Sequence, residues 1–209
     1  MSRADKHVLL DSVSLSKNSV TNRCRIRNKT SWQYLTIPIR HEFYGRNITE
    51  TLVPESRDWM RKHWTAILEN YSRARSFSRY SNFFDRLYGQ SVERLAEFNE
   101  RAIRFVAKEL GIRAEIVRAS ELKVRQSARK SELLLEIASS LGATTYLSGP
   151  TGRAYLDIGA FEKVGIKVEF FEFVEMPYEQ AFPGFVPRLS ATDALFNLGA
   201  DAENLIAAR

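Results

Sequence analysis

Ser148-Gly149-Pro150-Thr151-Gly152-Arg153 follows directly on the β-forming run Thr144-Thr145-Tyr146-Leu147 and leads into Ala154-Tyr155-Leu156-Asp157. A strand that breaks at Gly-Pro and restarts with helix formers reads as a strand-to-helix turn. Such a turn aims free backbone N–H groups and the positive end of a helix dipole at one point. Ser148, Gly149 and Gly152 supply the cradle, and Arg153 adds a guanidinium. The chemistry suited to it is capture of a phosphate, a carboxylate or another anion. The same glycines equally serve an ordinary strand-to-helix turn, and spacing alone leaves both readings open.

A second supply of positive charge lies near the start of the chain. No acidic residue falls between Asp11 and Glu42, whereas Lys17, Arg23, Arg25, Arg27, Lys29 and Arg40 all do. Cations without counterions imply an anionic partner: nucleic acid, acidic lipid or a phosphorylated small molecule. Asp11 ends the first expected strand, the rim at which open parallel sheets bind ligands. His63 shares a helical face with Trp59, Ile67 and Tyr71, a spacing that suits packing. It is a general base only if it points to the same rim. Cys24 could pair with a distant histidine as a nucleophile, its thiol lowered by the flanking arginines.

Other chemistries find no support. The three histidines are isolated and the single cysteine has no partner at ligand spacing, so no metal is expected. Walker A, Gly-x-Gly-x-x-Gly and Gly-x-Ser-x-Gly motifs are missing, and no cofactor is expected. Trp59 to Tyr80 interleaves aromatic and basic residues, as base stacking with phosphate contacts would need. Its aromatics fall at core-like helical spacing, however, and nucleic acid ranks below a small-molecule ligand. A further basic cluster, Arg57, Arg61, Lys62, Arg73, Arg75 and Arg79, is interleaved with Asp58 and Glu69 and reads as a solvated face.

The elements that must position these residues follow from periodicity. Residues 7–11 and 32–39 read as strands, 12–30 as a polar loop or short helical turn, and 48–53 as a further short strand. Trp59, His63, Ile67 and Tyr71 recur at i+4 and predict a helix with Ser56 as cap. Further helices are expected over 77–88, 92–110 and 128–141. Residues 111–173 then alternate β-α-β-α-β, with strands at 115–118, 144–147 and 166–173 and a helix over 153–164. This alternation is the signature of a parallel sheet covered by helices. Ser190 caps a last helix over 191–198. The expected architecture is a single α/β domain over 1–209, Rossmann-like and mostly parallel, with a mostly helical insertion at 54–110.

The 209 residues, 44% apolar and 27% charged, are an ordinary globular composition of about one domain. No run of about 18 apolar residues occurs, so no membrane span is expected. The polar start Met1-Ser2-Arg3-Ala4-Asp5-Lys6 lacks a secretory core, and one cysteine fits a reducing compartment. The expected location is cytoplasmic.

Taken in order, several segments resemble the WbqC-like proteins. They are Leu10-Asp11, Ser16-Lys17, Asn22-Arg23-Cys24-Arg25-Ile26, Trp32 with Leu35-Thr36-Ile37-Pro38, and Asp58-Trp59 with Lys62-His63. Ser120-Glu121-Leu122, Ser148 to Asp157, and Phe185, Pro187, Leu189-Ser190, Asp193, Leu195-Phe196-Asn197 and Gly199 continue the pattern. The resemblance implies a Rossmann-like enzyme of bacterial O-antigen or other surface-polysaccharide biosynthesis. It acts on a nucleotide-activated sugar or an activated acyl donor, and transfers a glycyl or other acyl group to an amino sugar. By matching position it assigns the site to Asp11, Lys17, Asn22, Arg23, Arg25, Ser148, Gly149, Gly152 and Arg153, with His63 as an outside candidate. The family's short first strand and His-Gln-Pro…Pro-Trp-x-Gly segment have no counterpart before Asp11. The expectation is therefore a late start, a strand supplied by a protein partner or second copy, or a homologue that binds without catalysis.

Overall fold

The alternations Arg23-Cys24-Arg25-Ile26-Arg27 and Trp32-Gln33-Tyr34-Leu35-Thr36 form an antiparallel hairpin in the computed structural model, which describes residues 1–125 and 127–207. After strand β1 (Lys6–Leu9), the hairpin supplies β2 (Arg23–Arg27) and β3 (Trp32–Thr36). Asn28 fixes the turn: its Oδ1 accepts from the N–H groups of Thr30 at 3.1 Å and Ser31 at 2.7 Å. A side chain that mimics a backbone turn in this way is a property of Asn and Asp. Strand β2 replaces the loop expected over 12–30, because three arginines hide its period-two pattern.

The strand expected at 48–53 is a 3-10 turn over Ile48–Glu50. Beyond it, the Val53 N–H donates to Glu93 O at 2.9 Å and the Leu95 N–H to Thr51 O at 3.0 Å. These bonds hold the chain before Leu95 extended, so the third helix starts at Leu95 rather than at Val92. Helices α1 (Asp58–Tyr71), α2 (Phe77–Gly89) and α3 (Leu95–Glu109) occupy most of 54–110. Then come β4 (Glu115–Arg118), α4 (Lys130–Ser140), β5 (Thr145–Ser148), α5 (Ile158–Lys163) and β6 (Lys167–Phe170). Helices α6 (Ala191–Leu198) and α7 (Glu203–Ala207) close the chain. Ser190 caps α6 as expected, accepting from the Thr192 N–H.

The fold is mixed α/β. Strands pair in twos: β2 with β3 antiparallel, β5 with β6 parallel, and β1 with β4, where the Glu115 N–H donates to Asp5 O at 2.8 Å. Two compact units result, Met1–Ile116 with the chain from Glu175 onward, and Val117–Val174. No helix among the described residues is long and apolar enough to cross a membrane.

Each unit has its own apolar core. In the first, Phe196 has no exposed surface, and the rings of Tyr71, Phe77 and Phe84 lie 5.1, 5.1 and 5.3 Å from its own. Truncating one such ring costs about 3–5 kcal/mol. In the second, Phe161 is the centre, with Ala138, Leu156 and Ile166 around it. Gly199 ends α6 at φ 65°, ψ −131°, a conformation essentially closed to other residues. A Cβ there would also lie 2.5 Å from Ser76 Oγ. Gly199→Ala should therefore destabilise the fold by roughly 2 kcal/mol in urea unfolding. Adding Ser76→Gly should leave most of that loss in place, since the backbone causes it.

Candidate functional site

Directly opposed residues of an antiparallel pair share a face. One face of the hairpin therefore carries Arg23, Arg25 and Arg27 with Thr36, Tyr34 and Trp32, while Cys24, Ile26, Gln33 and Leu35 take the other. The Arg25 guanidinium lies 4.0 Å from the Trp32 ring centroid, and that of Arg23 4.4 Å from Tyr34. The two rings meet edge to face at 5.0 Å. Trp32 is 37% exposed and Tyr34 45%, which puts this ladder at the surface. Among the described residues neither Arg23 nor Arg25 meets a carboxylate. Arg25 Nε is buried with no acceptor.

Lys17 and Asn22 join this surface through the backbone that flanks it. Asn18 takes a left-handed φ of 56°, and its Oδ1 accepts from Arg23 Nη1 at 3.3 Å. Lys17 sits one residue before it, its ammonium 3.3 Å from His41 Nε2 and 5.6 Å from the Tyr44 ring centroid. An ammonium has no acceptor capacity, so Lys17 donates and the ring nitrogen accepts. Asn22 is buried and closes the end of the hairpin: its Nδ2 donates to Ile37 O at 3.0 Å. Its Oδ1 is buried without a partner. Lys17, Asn22, Arg23 and Arg25 are thus held on one continuous stretch of structure.

The other residues singled out in the sequence stand elsewhere. Asp11 is buried just beyond β1, and its carbonyl accepts from the Thr49 N–H at 3.1 Å. His63 is buried edge-on to the rings of Trp59 and Tyr88, its Nε2 3.0 Å from Thr36 O. A carbonyl only accepts, so Nε2 carries the proton. Desolvation lowers this imidazole to about 4, against a weaker opposing effect of the Thr36 bond. A neutral ring with its N–H committed to the backbone is suited to packing rather than to proton transfer. Cys24 is exposed, yet the atoms crowding its sulfur push the thiol up to about 11. The arginines on either side do not make it a thiolate.

Ser148, Gly149, Gly152 and Arg153 belong to the second unit. The helix expected over 153–164 is split into a 3-10 turn at Pro150–Ala154 and the six-residue α5. Asp157 splits it, accepting from the Ala160 N–H at 3.1 Å and so meeting the positive end of α5 with its own carboxylate. Gly152 is required sterically, because a Cβ there would lie 2.1 Å from Ser148 Oγ. Arg153 is exposed and rests over the Phe170 ring at 4.2 Å. Among the described residues no group of three or more His, Cys, Asp or Glu side chains could hold a metal ion.

A family model, that of the WbqC-like protein family, matches residues 1–205. The chain belongs to that family. It is similar to Rv1507c, an uncharacterized protein of Mycobacterium tuberculosis (strain ATCC 25618 / H37Rv), with 29% identity over 205 residues, 97% of this chain and 87% of that protein. No solved structure matches it.

In this WbqC-like chain the hairpin is anchored from behind by a network that spacing did not reveal. Arg27 is 2% exposed, and its guanidinium donates to the carbonyls of Asn28 at 2.6 Å, Ser31 at 2.7 Å and Pro183 at 2.8 Å. The Arg27 N–H donates to Tyr71 Oη at 2.7 Å, and Tyr71 donates to Asp193 Oδ1 at 2.6 Å. Tyr178 donates to the other carboxylate oxygen at 2.7 Å. Burial raises the Asp193 carboxyl, while these phenols, Asn197 and the Arg27 charge pull it down. The Ser190 N–H meets Arg25 O at 2.8 Å, which ties the cap of α6 to β2. Tyr34 was the residue of the ladder most open to detection, since Trp-x-Tyr after Arg-x-Arg-x-Arg and a short Asn-led turn has hairpin spacing.

The His63 environment sets a pH dependence. Its imidazole binds a proton near 6.5 when unfolded and near 4 when folded, so the unfolded chain holds more protons between these values. Stability is full at neutral pH and falls as pH drops through this window, by up to about 3 kcal/mol. Urea midpoints measured at pH 7 and pH 4.5 should therefore converge in His63→Asn, which keeps a neutral donor for Thr36 O. An unchanged difference between the two pH values would assign the acid sensitivity elsewhere.

Proposed function

We propose that this chain is a cytoplasmic transferase of bacterial surface-polysaccharide biosynthesis. It holds an anionic activated donor, a nucleotide-sugar or an activated acyl group, and serves transfer of a glycyl or other acyl group to an amino sugar. The observation that carries this reading is the pair Arg23 and Arg25, surface guanidiniums laid on aromatic rings with no carboxylate to neutralise them. Guanidinium forks grip phosphate and carboxylate in bidentate fashion. Lys17 adds a further cation on the same stretch of structure, held against His41 and Tyr44, and the unpartnered Asn22 Oδ1 is an acceptor waiting for a donor.

Asp11 has the role of orienting the acceptor's amine or hydroxyl. Arg153, with the Ser148-Gly149-Pro150-Thr151-Gly152 turn behind it, is the anion contact of the second unit. Family membership supports the class of chemistry, and the acid-free segment supports the charge of the ligand. A homologue that binds the same donor without turnover is told apart by assaying transfer itself.

Binding is the direct test. Titration calorimetry with a nucleotide-sugar should show Arg25→Ala weakening affinity about tenfold or more, near the 1.4 kcal/mol expected for losing a charge-assisted pair. Arg153→Ala tests the second unit by itself, and should weaken that unit's hold on an anion without a change in thermal midpoint. If both variants fold and bind like the unaltered protein, the donor site is not where these residues lie.

A further inference from the structure

Resting on the donor-site reading above, the ladder also specifies how many charges the ligand carries. Arg23 and Arg25 stand two residues apart on one strand, which places them about 6.7 Å apart along it. Each leans diagonally onto the ring two pairs along the hairpin, the next on the same face: Arg25 from opposite Tyr34 onto Trp32, and Arg23 from opposite Thr36 onto Tyr34. Both lean in the same direction, so the spacing of the strand is carried outward to the charges.

An exposed arginine ordinarily explores many rotamers and loses that freedom on binding an anion. Stacked on rings that themselves pack edge to face at 5.0 Å, these two have given it up beforehand. A third feature points the same way: the buried Arg25 Nε has no acceptor, leaving part of that charge without compensation in the protein.

We infer that Trp32 and Tyr34 are positioning residues of a two-guanidinium clamp whose ligand is a diphosphate, one phosphoryl group against each arginine. A diphosphate offers one phosphoryl group to each guanidinium, whereas a monophosphate or a carboxylate must divide its oxygens between the two. Of the two donor classes, the clamp therefore selects a diphosphate-linked one over an acyl group activated by a single phosphate. Neither ring touches the ligand in this arrangement; each acts through the arginine lying on it. The face of the hairpin turned away from the ladder, with Ile26 and Leu35 in the core, holds the platform rigid.

Calorimetry at fixed ionic strength with inorganic pyrophosphate, inorganic phosphate and UDP decides it. Pyrophosphate and UDP should bind at least tenfold more tightly than phosphate. The double variant Trp32→Leu, Tyr34→Leu should lose about tenfold in pyrophosphate affinity and much less for phosphate, a split that a merely structural role would not produce. Arg25→Lys keeps the charge but not the stacked plane, touches no core residue and should show the same split even if the double variant unfolds. Equal affinity for pyrophosphate and phosphate, or a double variant that folds and binds like the parent, overturns the clamp and leaves a single-anion donor site standing. Failure of all three titrants overturns both. An oligoribonucleotide that binds more tightly than UDP, with affinity falling steeply in salt, overturns the clamp in favour of nucleic acid.

Discussion

Asp193 has no exposed surface, and a carboxylate so placed is tolerable only if donors surround it. The chain meets this demand with Tyr71 from α1, Tyr178 from the irregular segment before α6, and the charge of Arg27 from β2. Removing any one donor would strand a charge in the core, which costs far more than a surface ion pair contributes. Three otherwise separate pieces are bound to one point as a result. The second role of Tyr71, accepting the Arg27 N–H, continues the link into the strand that carries the arginine ladder.

This arrangement divides the arginines of β2 by function. Arg27 faces carbonyls and is structural; Arg23 and Arg25 lie on the rings of Tyr34 and Trp32. The sequence presents all three as equivalent members of one acid-free segment. What separates them is the register of the hairpin and the position of Pro183, far along the chain, whose carbonyl Arg27 takes up.

Much of the helical scaffold was legible. The i+4 series of α1 and the Ser190 cap of α6 are local signals with local causes, and they stand where they were expected. Features set by distant partners were not. Strand β2 was hidden by its charges, α3 was shortened by hydrogen bonds to Thr51 and Val53, and the turn after β5 was broken by the cap of Asp157. At the site, the unneutralised charge of Arg23 and Arg25 could be read directly, but Trp32 and Tyr34 become their neighbours only across the strands. The burial of Asp193 is invisible in spacing, because its donors come from distant parts of the chain.

The hairpin also protects its own charge pattern against drift. Its two faces differ: one holds three guanidiniums, the other sets Ile26 and Leu35 against the core. Sliding β2 by one residue past β3 would drive the arginines inward and turn Ile26 out to water, and a slip of two would take Arg27 from its carbonyls. The separation between the outer charges is thus fixed by the same apolar residues that keep the chain folded. Variation at the surface positions can change which charges this face carries, while their spacing cannot change without loss of the fold.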